Sequence, residues 1–468
     1  MKKTRKICLL LLIGILVAGM CIPVRGQEQI SSGCLTLDAT EDLSPDEKIL
    51  DTAKAALLYE MDTQTLVYAW NADERLDPSG MNKIMTALLA LENTNPDMVV
   101  TVTRSALNSV AIGSVSAGLK RDEEITMRDL LYCMIVGSAN DAAAVIAEYV
   151  GSSQEQFVEM MNQRAVELGC ENTNFLNPSG ISKDGQYSTA RDLAKITAAA
   201  LENELFTQMF CAVEYTVPET NKVAERRVVT TNHLISTLTV KNQYDARVTG
   251  GKTGALSTTD RSLICTAEYD GKTYLSVVMS AKGTVTADGL SVKTFGSFEE
   301  TRKLLDHGFK QFTVGQVMHE SQSLGQFAVA VGENQVIARP AKTVMVTLPN
   351  GVKAEDISYR CQLNETQITA PVAAGQVIGT AQVWYQGICI GQSDLVAAHD
   401  VREADGHILP LTPNAEIPED ASLVNWLIIG GIAVFAIAIV SALVFIIMRL
   451  IRKHQIERRH KLINGGGR

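Results

Sequence analysis

Residues 76–92 have the sequence LDPSGMNKIMTALLALE, and they contain the pattern on which the predicted fold depends. A helix is predicted to begin near Met81, because apolar side chains recur beyond it at helical spacing. These side chains belong to Ile84, Ala87, Leu88 and Leu91. Lys83 lies in the first turn of this helix. A lysine one turn from a hydroxyl group can act as its base when the lysine pKa is lowered, so the helix start is a candidate catalytic site.

Segments on both sides of this helix predict strands, then a block of helices, then further strands. One hairpin is predicted over residues 55–61 and 66–70, and a second over residues 263–269 and 273–281, which turns at Asp270–Gly271. Further helices are predicted over residues 127–135, 141–149, 154–168 and 297–307. This order is typical of an α+β fold, with helices around an antiparallel sheet.

Short β-rich runs follow residue 312 and predict a small all-β domain. The clearest runs are residues 326–331, 343–348 and 381–385.

We therefore divide the chain into seven parts. They are a signal peptide (1–26), a linker (27–50), an α+β domain (51–311), a β-rich domain (312–405), a second linker (406–424), a transmembrane helix (425–449) and a basic cytoplasmic tail (450–468).

Both ends of the chain carry membrane-targeting patterns. Residues 2–6 are rich in lysine and arginine and residues 7–20 are apolar, which is typical of an export signal cleaved before Gln27; an uncleaved anchor helix is the alternative. Residues 427–448 form an uncharged apolar run, long enough to cross a hydrocarbon core of about 30 Å. Basic residues follow from Arg449, so the tail is predicted to be cytoplasmic and the middle of the chain to lie outside the cell. A buried core helix is the alternative for this run.

The composition argues against several classes of protein. The net charge of -10 argues against a nucleic-acid partner. The sequence has no P-loop, no dinucleotide glycine pattern and no HExxH, so neither a metal nor an organic cofactor is expected. The nine cysteines form no CxxC pair, and an odd number remains once Cys8 and Cys21 leave with the signal. This count argues against a disulfide framework, and Cys133 in an apolar run is predicted to be a small buried residue.

Three short patterns carry the chemical argument. They are the PSGMNK sequence of residues 78–83, Ser138-Ala139-Asn140, and Lys252-Thr253-Gly254. Each is weak alone, but their order and spacing are together more specific. A serine and an asparagine between helices can relay protons and hold a substrate amide. A lysine and a threonine on an edge strand can bind a carboxylate, and a glycine beside them lets a backbone approach closely.

Together these patterns resemble the signatures of the D-alanyl-D-alanine carboxypeptidases, which are low-molecular-mass penicillin-binding serine peptidases. The resemblance covers residues 53–311, and residues 312–405 are similar to the family's C-terminal β domain. It also rests on segments found in the expected order. These segments are residues 71–78, 83–92, 138–143, 177–180, 187–192 and 231–232.

The resemblance implies a bacterial cell-wall protein that acts on peptidoglycan pentapeptide stems ending in D-Ala-D-Ala, with β-lactams as further ligands. In the family, the serine three residues before Lys83 forms the acyl-enzyme, and Lys83 is its base. Ser138 and Asn140 would assist proton transfer and substrate binding. Lys252, Thr253 and Gly254 would bind the terminal carboxylate. The family uses no cofactor and usually attaches to the outer face of the membrane by its C-terminal end.

The sequence departs from the family at the nucleophile. The residue three before Lys83 is Gly80, which has no side chain, and Asn82 stands where the family more often has a hydroxyl residue. One hypothesis is a pseudoenzyme that binds stems or β-lactams without covalent chemistry. A second is an active serine peptidase with Ser79 as a shifted nucleophile, and a third is a non-catalytic platform tethered at the cell wall. A class A β-lactamase fits less well, because no loop with its catalytic carboxylate can be placed.

Structural interpretations remain open for the same residues. Lys83 and Lys252 could be ordinary solvated charges, and Ser138 could cap the helix that follows it. Arg191 and Asp192 are interpreted as a structural ion pair or as charges at a helix start.

Overall fold

The computed structural model describes residues 34–44, 48–238, 240–287, 292–332 and 334–404. The predicted signal peptide, second linker, transmembrane helix and tail lie outside these residues. Within the described ranges, no helix combines the length and the apolar character needed to cross a membrane.

The first part of the chain contains eleven strands and eight helices among the described residues. The strands are β1 (Ala55–Glu60), β2 (Thr65–Trp70), β3 (Val99–Thr101), β4 (Glu124–Thr126), β5 (Glu214–Val217), β6 (Arg226–Val229), β7 (Val248–Ala255), β8 (Asp260–Tyr269), β9 (Lys272–Lys282), β10 (Thr284–Val285) and β11 (Val292–Thr294). The helices are α1 (Asn82–Asn93), α2 (Arg104–Asn108), α3 (Met127–Ile135), α4 (Asn140–Gly151), α5 (Gln154–Glu167), α6 (Ala190–Leu201), α7 (Glu204–Cys211) and α8 (Gly296–Gln311). A 3-10 turn, Ser79–Met81, leads into α1.

The central sheet has five strands in the order β2-β1-β9-β8-β7, and every neighbouring pair is antiparallel. Both predicted hairpins are confirmed. Asp270 and Gly271 connect β8 to β9 and both have positive φ, as a two-residue hairpin turn requires. Strand β7 lies at one edge of the sheet, which is where the chemical argument placed Lys252 and Thr253.

Both faces of the central sheet are covered. Successive side chains of a strand point to opposite faces, so Leu57 of β1 joins one hydrophobic core and Leu58 joins the other. The first core contains the buried faces of α1 and α3 to α7. The second contains Leu304 and Leu305 of α8. All six residues of β1 are buried as a result, and the predicted α+β arrangement of helices around an antiparallel sheet is confirmed.

An all-β region follows α8. Its strands are β12 (Phe312–Met318), β13 (Gly325–Phe327), β14 (Val329–Ala330), β15 (Val336–Pro340), β16 (Val344–Pro349), β17 (Ile357–Leu363), β18 (Ile368–Thr369), β19 (Val377–Tyr385) and β20 (Ile388–Ala397). Five of them form a sheet in the order β13-β15-β20-β19-β17. The prediction of a β-rich region after residue 312 is therefore confirmed.

Some elements were not predicted from periodicity. Helix α6 begins after Thr189, whose hydroxyl accepts a hydrogen bond from the Asp192 N–H, so the capping pattern Thr-x-x-Asp marks its start. Arg191 pairs with Asp73 at 2.7 Å rather than with Asp192. The Asp192 carboxylate accepts hydrogen bonds from the segment at residues 172–173. The structural interpretation of both residues is supported, but their partners differ from a simple pair.

One disulfide joins Cys34 to Cys389, across 355 residues of sequence. The parity of the cysteine count could not reveal this link, because it says nothing about which cysteines meet in space. Cys133 is buried among apolar residues of α3, as predicted.

Candidate active site

Three distant segments meet at one place. Lys252 on β7 donates a hydrogen bond from its Nζ to the Ser138 Oγ at 2.9 Å. Gly80 faces the same place: a Cβ atom on it would lie 3.8 Å from the Ser138 Oγ and 3.1 Å from the Thr253 carbonyl oxygen. The three sequence patterns therefore converge on one site, with Lys83 following in the first turn of α1.

Lys83 is buried, with 2% of its surface exposed. Its Nζ donates a hydrogen bond to the Ser179 carbonyl oxygen at 2.5 Å. Burial, and secondarily the positive charge of Lys252, lower the Lys83 pKa well below its usual value. The interpretation of Lys83 as a solvated helix residue is therefore wrong. The lowered pKa makes its amine a better proton acceptor near neutral pH than an ordinary lysine.

Lys252 is fully buried on the edge strand, and its Nζ also donates to the Thr253 carbonyl oxygen at 3.0 Å. Burial lowers its pKa to about 7. The interpretation of Lys252 as an exposed strand charge is therefore wrong. Neither Lys252 nor Lys83 forms a salt bridge with a carboxylate in the described ranges. Two buried amines without an acidic partner make this a site that favours a bound anion.

Ser138 lies in the turn between α3 and α4 and has a left-handed backbone, with φ of 59°. The N-cap of α4 is Ala139, so the interpretation of Ser138 as the helix cap is wrong. The strained turn instead directs the Ser138 hydroxyl to Lys252. Strained backbone of this kind is common where a site must hold one side chain in place.

Asn140 is the first residue of α4 and is 8% exposed. Its backbone N–H donates to the Val115 carbonyl oxygen at 2.8 Å. Its side-chain amide forms no hydrogen bond with any other residue of the described ranges. An amide in this state has donors and an acceptor available for a ligand.

Ser79 has a different environment from the other hydroxyl groups of the site. It is 1% exposed and has a left-handed backbone, with φ of 52°. Its Oγ accepts a hydrogen bond from the Gly80 N–H at 2.6 Å and lies against Gly254, where a Cβ atom would be only 2.9 Å from it. Glycine at position 254 thus allows β7 to pack against the Ser79 side chain. Within the described ranges, the Ser79 hydroxyl makes no hydrogen bond to Lys83.

A polar network holds the loop around Ser179, whose carbonyl oxygen accepts the hydrogen bond from Lys83. The Asn82 Nδ2 donates to the Asn177 carbonyl oxygen and to the Gln186 Oε1, both at 3.0 Å. The Asn82 Oδ1 is buried and has no hydrogen-bond partner among the described residues. Gly180 has φ of 77°, and its Cα comes so close to the Ser79 carbonyl that a Cβ would lie 1.7 Å from that oxygen. The loop therefore needs glycine at this position to bring Ser179 to Lys83.

Sequence reasoning from chemistry missed two contacts of this site. One is the Ser179 carbonyl oxygen. It is a backbone atom, and patterns of side chains do not reveal contacts of backbone atoms. The other is Thr231, whose hydroxyl lies 2.5 Å from the Thr253 hydroxyl. Residues 177–180 and 231–232 did stand out as segments of the family resemblance, and this was the available signal. No group of His, Cys, Asp and Glu side chains suited to a metal ion is found in the described part of the chain.

A family model described as D-alanyl-D-alanine carboxypeptidase matches residues 43–283, which is more than half of the chain. The chain belongs to this D-alanyl-D-alanine carboxypeptidase family. A second model, described as the C-terminal domain of penicillin-binding protein 5, matches residues 312–403. The family resemblance inferred from the three patterns is therefore confirmed.

Individual relatives agree with this family assignment. The chain is 28% identical to the D-alanyl-D-alanine carboxypeptidase DacF of Bacillus subtilis, over 78% of this chain and 90% of that protein. It is 30% identical to the D-alanyl-D-alanine carboxypeptidase DacC of Escherichia coli, over 75% of this chain and 84% of that protein. Among solved structures, penicillin binding protein 5 from Haemophilus influenzae matches with a TM-score of 0.60 and 28% identity, covering 75% of this chain and 98% of that one. The α+β domain and the β-rich region of this carboxypeptidase-family chain thus both have counterparts in known structures.

Proposed function

We propose that this protein binds peptidoglycan stem peptides ending in D-Ala-D-Ala, without forming the acyl-enzyme of its family. The observation that carries the proposal is the position of Gly80. It stands three residues before Lys83, and its missing side chain would point toward the Ser138 Oγ, 3.8 Å from its Cβ position. A side chain at position 80 would face the Ser138 hydroxyl, and glycine supplies no hydroxyl group there, which supports binding without an acyl-enzyme.

Binding is supported by the two buried lysines. The terminal carboxylate of a stem peptide, or of a penicillin, would supply the anion that Lys252 lacks among its described neighbours. A charge-assisted hydrogen bond from an amine to a carboxylate is stronger than one between neutral groups. Because the amines are held in place before the ligand arrives, little further ordering is needed on binding.

Loss of hydrolysis is expected from the known cost in rate of removing a catalytic nucleophile. Lys83 has a lowered pKa and can accept a proton, but it has no serine at position 80 from which to take one. Removing the nucleophile of a serine hydrolase costs on the order of 10⁴- to 10⁶-fold in rate. We therefore expect a bound stem peptide to dissociate from this site much faster than it is hydrolysed.

The geometry favours this proposal over Ser79 as a shifted nucleophile. The Ser79 side chain is buried against Gly254, and its hydroxyl already accepts the Gly80 N–H. Within the described ranges the Lys83 Nζ donates to the Ser179 carbonyl oxygen and not to Ser79, and displacements of about 1 Å from the productive geometry already cost orders of magnitude in rate. The hydrogen bond between Lys252 and Ser138 also favours a ligand-binding function over the hypothesis of a non-catalytic platform, which does not require an intact site.

We also propose that the protein is held in a bacterial cell membrane by residues 425–449, with residues 51–405 outside the cytoplasm. The apolar run, the basic residues from Arg449 and the basic N-terminal region support this arrangement. Added protease should digest the large domain in intact spheroplasts and leave a short protected fragment. Protection of the whole chain would contradict the proposal.

The decisive test of the missing nucleophile is labelling of the detergent-solubilised full chain with a fluorescent penicillin. We expect no covalent label on the natural protein and clear labelling of Gly80→Ser. A serine side chain fits the backbone, although its Cβ would come within 3.1 Å of the Thr253 carbonyl oxygen and a shift of a few tenths of an ångström is needed. Gly80→Ala, which meets the same contact without a hydroxyl, is the matched control and should stay unlabelled.

The opposite results have clear meanings. If the natural protein is labelled, another hydroxyl performs the chemistry, and mass spectrometry of the adduct would identify it. If calorimetry detects no binding of a D-Ala-D-Ala tripeptide at millimolar concentration, the stem-binding function is wrong, whatever the labelling result.

A further inference from the structure

A cavity of about 510 Å³ lies where the α+β domain meets the β-rich region. Its walls come from residues 34–36, from the turn at residues 62–64 between β1 and β2, and from residues 342–345 and 390–392 of the β-rich region. The residues of the site around Lys252 do not line it, so the two sites are separate. Clefts of this volume at the boundary between domains are common places for small ligands to bind.

The walls of this cavity are fastened to one another. Cys34 lines the cavity and is joined by a disulfide to Cys389. The Leu35 N–H donates to the Cys389 carbonyl oxygen at 3.0 Å, and the Thr63 hydroxyl lies 2.7 Å from the Thr347 hydroxyl. A ligand would therefore enter a cavity that is already formed, and little ordering of the protein would oppose binding.

Uncharged amide and hydroxyl groups make up most of the polar lining. Within the described part of the chain, the side chains of Gln64, Thr343 and Gln392 form no hydrogen bond, and both glutamines are exposed. A glutamine amide offers donors and an acceptor, and a threonine hydroxyl offers both. The charged side chains of the lining are Asp62 and Lys342, whose charges cancel. The cavity therefore suits a neutral ligand that is rich in both donors and acceptors.

The rest of the lining is largely apolar. It includes Leu35, Val344, Met345 and Ile390, and Met345 is 45% exposed. A sugar ring has hydroxyl groups around its edge and C–H groups on its faces. The hydroxyl groups can pair with amide and hydroxyl side chains, and the C–H groups gain from contact with apolar side chains. This combination of amphipathic lining and balanced charge matches a saccharide better than an ion or an alkyl chain.

We propose that this cavity binds a short stretch of a saccharide chain. Two sources share this chemistry, namely a polymer of N-acetylated amino sugars and a polymer of plain hexoses. The free amides of Gln64 and Gln392 favour the first, because an N-acetyl group presents an N–H and a carbonyl oxygen with which a glutamine amide can form hydrogen bonds. The inference goes beyond stem binding at Lys252 and does not depend on it. One chain with both sites could hold a polymer by its sugars and by its peptides, and such two-point attachment is tighter than either contact alone.

The test compares two tetrasaccharides binding to the detergent-solubilised full chain, measured by calorimetry. One is β-1,4-linked N-acetylglucosamine, and the other is β-1,4-linked glucose, which has the same linkage and no N-acetyl group. We expect the first to bind at millimolar concentration. The second should bind about fivefold more weakly or less, which is the factor that one net hydrogen bond supplies.

Two variants test whether the cavity is the place of binding. Gln64→Ala combined with Gln392→Ala should weaken binding of the N-acetylated tetramer about tenfold or more, because two amides are lost. Thr343→Trp should abolish binding by filling the cavity. Gln362→Ala is the matched control, because Gln362 is an exposed residue of β17 that does not line the cavity. Urea denaturation of each variant would confirm that it is folded.

The outcomes separate the two sources and the two sites. If both tetramers bind equally and the double alanine variant loses both, the saccharide site stands and plain hexoses are an equal source. If neither tetramer binds, or if the double alanine variant and Thr343→Trp bind as the natural protein does, the proposal is wrong. Binding of a D-Ala-D-Ala tripeptide, measured on the same samples, reports on the Lys252 site alone, so failure of this proposal is distinct from failure of the proposed function.

Discussion

At the residue scale, the site is defined by what surrounds two lysines. Lys83 and Lys252 are both buried without a carboxylate partner in the described ranges. Burial lowers the Lys83 pKa most, and the charge of Lys252 lowers it further. Burying amines in this way destabilises the folded protein, because each loses its hydration in the charged form. Such an arrangement is consistent with a site built for an anion, and it stays assembled although residue 80 is glycine.

The Lys252 pKa predicts the pH dependence of ligand binding. Burial lowers this pKa from 10.5 to about 7, so in the free protein Lys252 is charged below pH 7 and neutral above it. A bound carboxylate favours the charged amine. Affinity for a D-Ala-D-Ala tripeptide should therefore be highest at pH 6 to 7 and fall about tenfold by pH 9, the difference between a charge-assisted and a neutral hydrogen bond.

Calorimetric titrations from pH 6 to 9 would measure this fall. Lys252→Met provides the control, because it should bind weakly at every pH and show a flat profile. A natural protein whose affinity is constant from pH 6 to 9 would show that Lys252 does not carry the carboxylate.

At the element scale, the sequence predicted the helices and hairpin turns whose formation depends on neighbouring residues. Helix α3 was predicted at its observed bounds, and the hairpin of β8 and β9 was predicted at its turn, because periodicity and turn residues lie within short segments. The contact between Ser138 and Lys252 joins residues 114 apart, and no periodicity encodes it. Only the family resemblance brought those residues together before the structure did. The left-handed backbones of Ser79 and Ser138 were also hidden, because they depend on tertiary packing.

Asp141, in the first turn of α4, holds the segment at residues 116–119 beside the site. Its carboxylate accepts hydrogen bonds from the Ser116 hydroxyl at 2.6 Å, the Ala117 N–H at 2.9 Å and the Leu119 N–H at 3.1 Å. Asp141→Ala leaves these donors without their acceptor. We expect a loss of about 3 kcal/mol in the free energy of unfolding, measured by urea denaturation.

Asp141→Asn is the informative companion, since one oxygen remains and about half of the loss should be recovered. Exposed Asp97, which pairs with Arg128 at the surface, serves as a control, and its alanine variant should lose less than 1 kcal/mol. Similar stability of Asp141→Ala and Asp97→Ala would contradict the structural role given to Asp141.

At the scale of the whole molecule, the segment at residues 34–44 fastens the β-rich region to the central sheet. The Leu66 N–H of β2 donates to the Leu35 carbonyl oxygen at 2.7 Å, and the Leu35 N–H donates to the Cys389 carbonyl oxygen at 3.0 Å. The Thr63 and Thr347 hydroxyl groups meet at 2.7 Å. Sequence reasoning treated residues 27–50 as a linker, because their polar composition gives no sign of these backbone contacts.

The disulfide between Cys34 and Cys389 should make this attachment resistant to opening. A cross-link between distant residues lowers the entropy of the unfolded chain, so Cys389→Ser should reduce the free energy of unfolding by about 2–4 kcal/mol. It should also speed proteolysis within the β-rich region. Binding of a D-Ala-D-Ala tripeptide should stay unchanged in the folded protein, because Lys83, Ser138 and Lys252 all lie before residue 312.

Cys211→Ser is the control, since Cys211 is a half-buried thiol outside the disulfide. Reductant should destabilise the natural protein and leave Cys389→Ser unaffected. If Cys389→Ser also weakened stem binding, the β-rich region would have to influence the site through the segment at residues 34–44 and β2. If Cys389→Ser lowers the free energy of unfolding and leaves binding unchanged, the β-rich region stabilises the binding domain and takes no part in recognising the stem.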